Sequence, residues 1–265
     1  MKRLIYQVCL GEATNSKLYK HCIESVRQYC ERHGITHMVQ TKPLLRISPD
    51  PFMSNRSKES WGKHGGYLPI YEKENAFNHL DDFDQIAIVD ADIYIRPDAP
   101  NIFEDMMCNC AFGAVCEREM PINEAYKAKI TNYSIMQYKI LHNTSIGIDF
   151  KPNNLGFEFF NMGLIVLNCE KFKPYMRGQS PNEFLRRGEF MDFVNGKGAW
   201  KWSTDQTLLN FFVKKYKVPM KHLDWKWNGL YTANTQIDEC YFIHFFLKDK
   251  LPKRGENVEE LMKLI

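Results

Sequence analysis

Residues 85–92 read QIAIVDAD, and this stretch limits what the chain can become more than any other. Ile86, Ala87, Ile88 and Val89 form an apolar run without alternation. Such a run marks a strand covered on both faces, as in a parallel sheet flanked by helices. Two carboxylates follow it at once. Residues two apart in extended backbone point to the same side, so Asp90 and Asp92 aim together, and the small Ala91 lets a ligand approach the backbone. Like charges so placed repel unless a cation lies between them. Hard oxygen donors suit Mg²⁺ or Mn²⁺, with diphosphate oxygens able to complete the shell. Ligands of open α/β sheets collect beyond the carboxyl ends of the strands, which is where this pair stands.

The flanking sequence agrees with such a sheet. Residues 5–10 are expected to form a first buried strand ending at Gly11. Leu18, Cys22, Val26, Tyr29 and Cys30 recur at three- and four-residue spacing and predict an amphipathic helix over 16–33, stopped by Gly34. With a second strand at 35–40 this gives a β-α-β opening, which argues for parallel pairing. Residues 42–66, rich in Pro, Ser, Gly and charge, predict a long loop. Pro69 suits the start of the next helix, whose stripe is Ile70, Lys73, Phe77 and Leu80. Lys73 is the odd member of that stripe. Further strands are expected at 111–115 and 159–168, and helices at 124–141, 182–193 and 204–216. HLDWKWN (222–228) and CYFIHFF (240–246) read as short strands, and 117–157 as an insertion suited to binding an acceptor.

Composition narrows the class. The 265 residues, 44% hydrophobic and 25% charged, suit one large α/β domain or two small ones packed together. The net charge of +3 comes from scattered acids and bases with no basic stripe, which argues against a nucleic-acid binder. No segment approaches the roughly 20 apolar residues of a membrane span, and the apolar core of the N-terminal segment is too short for a signal peptide. The eight cysteines sit mostly inside apolar runs, and Cys108–Cys110 lacks the second pair of a zinc site. Reduced thiols in a cytoplasmic protein are the expectation. The sequons at Asn55, Asn132 and Asn143 are then chance matches.

An apolar strand followed by Asp90-Ala91-Asp92 resembles the GT-A glycosyltransferases, and later motifs sharpen the likeness towards glycosyltransferase family 8 and related retaining families. Asn161-Met162-Gly163 in FFNMGLIVLN resembles the N-x-G of that family, and Asp205-Gln206 in WSTDQTLLNFF its D-Q. His244 and Lys250 match the first and seventh positions of its late H-x-x-G-x-x-K-P-W. Leu247 stands where that motif has glycine, and Pro252 falls one place late, so Lys248 or Lys253 could take the place of Lys250.

The resemblance implies a single GT-A catalytic domain over 1–265, with a nucleotide-binding half (1–116) and a donor-sugar and acceptor half (117–265). It implies Mn²⁺ or Mg²⁺ held by Asp90, Asp92 and His244, and a nucleotide-sugar, UDP-linked by default, gripped by Asp90, Ala91, Asp92, Lys73, Asn161, Gly163 and Lys250. Asp205 and Gln206 would stand at the reacting centre. The acceptor would be a hydroxyl of a glycan, glycolipid or protein, and retention is the expectation.

Each residue also has a plain reading. Asp205 suits a helix N-terminus, His244 a core position, Asn161 and Gly163 a turn at the strand entry, and Lys73 a snorkelling lysine. Trp225 and Trp227 suit the core as well as a sugar site with Asn228. Glu158, Asp205 or Asp224 would serve as base in an inverting enzyme. A phosphohydrolase would place its D-x-D after the first strand, and a pyrophosphorylase needs a glycine-rich loop that CLGEATNSK does not supply. A degenerate fold kept as a glycan- or partner-binding module is the non-enzymatic alternative.

Overall fold

The computed structural model describes residues 1–50, 55–106, 109–142, 152–263 and 265. Its strands are β1 (Arg3–Val8), β2 (Thr36–Gln40), β3 (Gln85–Val89), β4 (Ile93–Ile95), β5 (Phe112–Cys116), β6 (Phe160–Asn168), β7 (Met220–His222), β8 (Gly229–Leu230) and β9 (Phe242–His244). Six of them form one sheet in the order β2-β1-β3-β6-β5-β7. Every pairing in it is parallel except those of β6, which runs against both β3 and β5. A second sheet, β4-β9-β8, stands at the carboxyl end of β3.

The apolar runs explain the layering. Along β1, β3 and β6 successive side chains enter different clusters. Leu4, Tyr6, Ile86, Ile88, Ile165 and Leu167 face one core, while Ile5, Ala87, Val89, Leu164 and Val166 face the other. The helix Lys17–His33 covers the second face through Val26, Tyr29 and Cys30. The helices Cys169–Met176 and Asp205–Lys215 cover the first through Phe172, Leu208, Leu209 and Phe212. Both faces are buried, so no polar alternation could appear in QIAIV.

The expected β-α-β opening is present, with Gly34 in the left-handed region (φ 63°) closing the helix. Other expectations need correction. The loop over 42–66 contains a helix, Asn55–His64; its exposed, charged face left too little apolar signal. The helix after Pro69 is a tight 3-10 run, Pro69–His79. Residues 182–193 break into Pro181–Leu185 and Met191–Asn195, interrupted at Gly188. Trp225–Asn228 is a 3-10 turn capped by Asp224, not a strand. β4 was not expected; three residues carry no period.

The predicted helix at 124–141 spans Glu124–His142 and packs Tyr133 and Tyr138 against Phe159 and Phe157. Cys108, the sequon at Asn143 and residues 143–151 of the expected insertion lie outside the described residues. Among the described residues no helix is long and apolar enough to cross a membrane.

Candidate functional site

The end of β3 is fastened on two sides. Asp90 N–H donates to the Gly163 carbonyl of β6 at 2.8 Å, and Phe245 N–H donates to the Asp92 carbonyl at 2.9 Å. The Gln7 side chain donates to the Asp90 carbonyl at 3.2 Å. Ile93 of β4 pairs in register with His244 of β9, which brings a late residue to the aspartate pair. His244 Nε2 lies 3.3 Å from Asp92 Oδ1 and 3.6 Å from Asp90 Oδ2. One ligand atom from each of the three residues falls within 4.8 Å of the others.

This donor set fits a divalent cation: two carboxylates of hard oxygen and one imidazole nitrogen converge on a common point. The electrostatics carry the same message. Burial works against the charge on His244, but Asp92 outweighs it and raises the imidazole above its usual range. Burial likewise opposes ionisation of Asp92, and His244 overrides it, so the carboxyl is held below its usual range. Asp92 and His244 thus favour each other's charged forms, whereas burial raises the Asp90 carboxyl above its usual range against the pull of Lys73 and His244.

Gly163 is where it is because of this ring. A Cβ at that position would stand 2.5 Å from His244 Nδ1 and 2.7 Å from Cε1. Gly163→Ala is expected to push the imidazole off the aspartates, costing about 1–3 kcal/mol of stability as overpacking does. It is also expected to weaken metal binding, which isothermal titration with Mn²⁺ will read.

Lys73 is the second organising charge. Its Nζ lies 2.8 Å from Asp90 Oδ1 and 2.8 Å from Asp205 Oδ2, and 3.2 Å from the Met162 carbonyl. Burial disfavours the ammonium, yet Asp205 and Asp90 outweigh it and raise its pKa. Asp205 opens the helix Asp205–Lys215, where its Oδ1 also accepts from Gln206 N–H at 2.9 Å, while Thr204 is the N-cap. Gln206 Oε1 accepts from Met162 N–H at 3.3 Å, and its amide donates to Glu117 at 3.2 Å. Glu117 also accepts from the Asn161 amide. Asn161 Oδ1 in turn accepts from Gly163 N–H and from the Asn228 amide, both at 2.8 Å. One polar network therefore links Asn161, Gly163, Asn228, Gln206 and Glu117.

Glu74, next to Lys73 in the chain, is fully buried with neither carboxylate oxygen hydrogen-bonded. Burial, reinforced by Asp205, raises its pKa well above the ordinary range. A carboxyl raised on folding loses its proton more readily in the unfolded chain, so it lowers stability as pH rises above the ordinary carboxylate range. Glu74→Gln is expected to be more stable than wild type at neutral pH, with the gap closing towards pH 4. Urea unfolding across that range checks it.

A cavity of about 300 Å³ opens beside the aspartates at the carboxyl ends of β1 and β3, lined by Val8, Cys9, Tyr19, Ile70, Lys73 and Asp92 among others. The Lys248 ammonium sits 3.7 Å from the centre of the Tyr19 ring. Burial lowers its pKa, and attraction to Asp92 works the other way.

No family model matches the chain, and no curated protein matches it. Solved structures do. A galactosyltransferase, LgtC, in complex with donor and acceptor sugar analogues superposes with a TM-score of 0.53 at 12% identity, covering 98% of this chain and 94% of that one. A glycosyltransferase involved in glycosylating the major capsid of PBCV-1 gives 0.52 at 11% identity, with both chains fully covered. Mouse xyloside xylosyltransferase 1 gives 0.51 at 13%, covering 95% of this chain and all of that one. The fold is GT-A.

Within the GT-A frame the aspartate pair, His244, Lys73, Asn161, Gly163, Asp205 and Gln206 all come together. Lys250 does not: its side chain is exposed, and the lysine facing Asp92 is Lys248. Leu247 holds the left-handed conformation (φ 57°, ψ 58°) that glycine would take freely. The turn survives the replacement, at a cost of about 1 kcal/mol or more for a residue with a Cβ.

Trp227 belongs to the core, where its Nε1 donates to Asp105 and its ring meets Phe242. Trp225 packs half-buried beside that core. Glu158 is tied to His222 and Lys214, and Asp224 caps a turn at the surface. Glu117 escaped the sequence reading, although an acid directly after the apolar strand end AFGAVC repeats the signal that drew notice to Asp90.

Proposed function

We propose that the chain is a metal-dependent glycosyltransferase that moves a sugar from a nucleoside-diphosphate donor, with uridine as the base, to a hydroxyl of a glycan, glycolipid or protein, with retention. The observation that carries this reading is the convergence of Asp90, Asp92 and His244 on one point, beside the Lys73–Asp205 pair and a nucleotide-sized cavity. All of 1–265 would act as one catalytic domain, with 1–116 holding the nucleotide and 117–265 the sugar and acceptor. The described cysteines are free thiols, which suits a reducing compartment, and we assign the cytoplasm.

In this mechanism the nucleoside lies in the cavity against Tyr19, and the diphosphate reaches towards Asp90 and Asp92. Asp90, Asp92 and His244 would hold Mn²⁺ or Mg²⁺, which supplies Lewis-acid neutralisation of the departing diphosphate. Lys248 adds positive charge on the same side. Lys73 holds Asp90 and Asp205 in fixed relation, so neither needs to reorganise as charge develops. Asp205 and the carbonyl of Gln206 face an electron-poor sugar carbon, whose oxocarbenium character they stabilise.

The carboxylates favour retention over inversion. Asp205 is bound to Lys73, Glu117 holds two amides, and Glu158 and Asp224 stand elsewhere. With these four carboxylates of the described residues so engaged, the hydroxyl attacks from the face the diphosphate leaves. The carbon–phosphate-oxygen bond breaks, the new glycosidic bond forms, and the hydroxyl proton passes to the leaving phosphate.

A panel of nucleoside-diphosphate sugars incubated with the protein and Mn²⁺ tests the proposal. Slow hydrolysis of a uridine-linked donor is expected, stopped by a chelator, with the product's anomeric configuration in NMR matching the donor's. Turnover that persists in the chelator would refute the metal role.

A further inference from the structure

A second group of ligating side chains lies on the other side of the strand end that carries Glu117. Cys116 and Glu117 are consecutive, and β5 shifts register against β6 between Ala114 and Cys116. Irregularities of this kind re-aim side chains next to a site. Glu117 turns to Asn161 and Gln206. Cys116 instead presents a ligand atom within 4.8 Å of one on Glu119 and one on His222. The three come from the end of β5, the turn Glu117–Glu119 and the end of β7, whose His222 pairs in register with Ala114.

We propose that Cys116, Glu119 and His222, with Glu158 orienting the histidine, bind one thiophilic divalent cation of the zinc class, separately from the site at Asp90, Asp92 and His244. The orientation of the imidazole carries the argument furthest. Its Nε2 lies 3.0 Å from Glu158 Oε1, and its Nδ1 lies 3.4 Å from Glu119 Oε2. A proton on Nε2 donated to Glu158 leaves the Nδ1 lone pair on the side of Glu119. This is the carboxylate–imidazole–metal order that fixes the tautomer of a ligating histidine. Glu158 is kept charged and turned away from the cation by Lys214 at 3.0 Å and Arg118 at 3.8 Å.

The donor chemistry sets the ion. Sulfur, nitrogen and oxygen in one set suit zinc, whereas the all-hard carboxylates at Asp90 and Asp92 with one imidazole suit Mn²⁺ or Mg²⁺. Ligand atoms up to 4.8 Å apart need only a modest inward movement to reach zinc bond lengths of about 2.0–2.3 Å. Cys116 is buried, while Glu119 and His222 are exposed, so an ion can enter from solvent, and a water can fill the fourth position.

Co²⁺ is the probe, because only a thiolate ligand gives it a strong near-ultraviolet charge-transfer band. The full chain is titrated with Co²⁺ and then with Zn²⁺. One equivalent of thiolate-ligated Co²⁺, displaced by Zn²⁺, is expected in wild type, in Asp92→Asn and in Cys9→Ser. Cys116→Ser should abolish the band, His222→Gln should weaken Co²⁺ binding at the site at least tenfold, and Glu158→Gln should weaken it about tenfold. His222 is exposed, so His222→Gln reports on ligation without disturbing the core. A band missing from wild type, kept in Cys116→Ser or lost in Cys9→Ser would overturn the proposal, as would unchanged affinity in His222→Gln.

Discussion

Asp92→Asn will lower Mn²⁺-dependent hydrolysis of the donor by about 100- to 1,000-fold, the usual loss when a charge-stabilising group is taken from a reacting centre. Asparagine keeps the size of the side chain and the backbone bond from Phe245 to the residue 92 carbonyl, so the fold should persist. What goes is one of two negative charges facing His244, and with it a cation ligand. A ligand that binds only the folded state raises the melting temperature by mass action. Mn²⁺ with a nucleoside diphosphate should therefore raise it in wild type and not in the variant. Wild-type hydrolysis in Asp92→Asn would remove the aspartate pair from the mechanism.

Lys73→Met will have the largest effect on stability. Methionine fills most of the lysine's volume, so the packing of its stem is kept. The variant leaves the buried Asp205 and the partly buried Asp90, each 2.8 Å from the missing ammonium, without their common partner. Removing one side of a buried charge pair costs about 3–5 kcal/mol, measurable by urea unfolding in chelator. The double variant Lys73→Met with Asp205→Asn should recover a good part of the loss, because the two residues are coupled. A single-variant loss below about 1 kcal/mol, the range of exposed ion pairs, would mean that the lysine only lies along the surface with its head in water.

The parts of the fold that could be read from the sequence are those where one physical signal acts alone. QIAIV is apolar throughout because both faces of β3 are covered, and the helix Lys17–His33 shows its period because one face is wet. The Asn55–His64 helix has no apolar face to advertise. β4, β8 and β9 have two or three residues each and exist through one another, not through any local preference.

The site divides in the same way. Asp90, Asp92 and His244 could be matched by order and spacing. That Gly163 makes room for an imidazole, or that Lys73 joins Asp90 to Asp205, is a fact of three-dimensional packing. Lys248, Lys250 and Lys253 could not be told apart by spacing; Lys250 lies exposed, whereas the Lys248 ammonium sits over the Tyr19 ring.

The pairing of Ile93 with His244 has a consequence for how the protein comes into being. All strands of the large sheet, β1–β3 and β5–β7, precede β9 in the chain. Until β9 lies down beside β4, the two acids at the tip of β3 have no histidine. If the proposed metal role of these residues holds, a chain without a docked β9 lacks one of its three ligands, and binding competence depends on that last strand pairing.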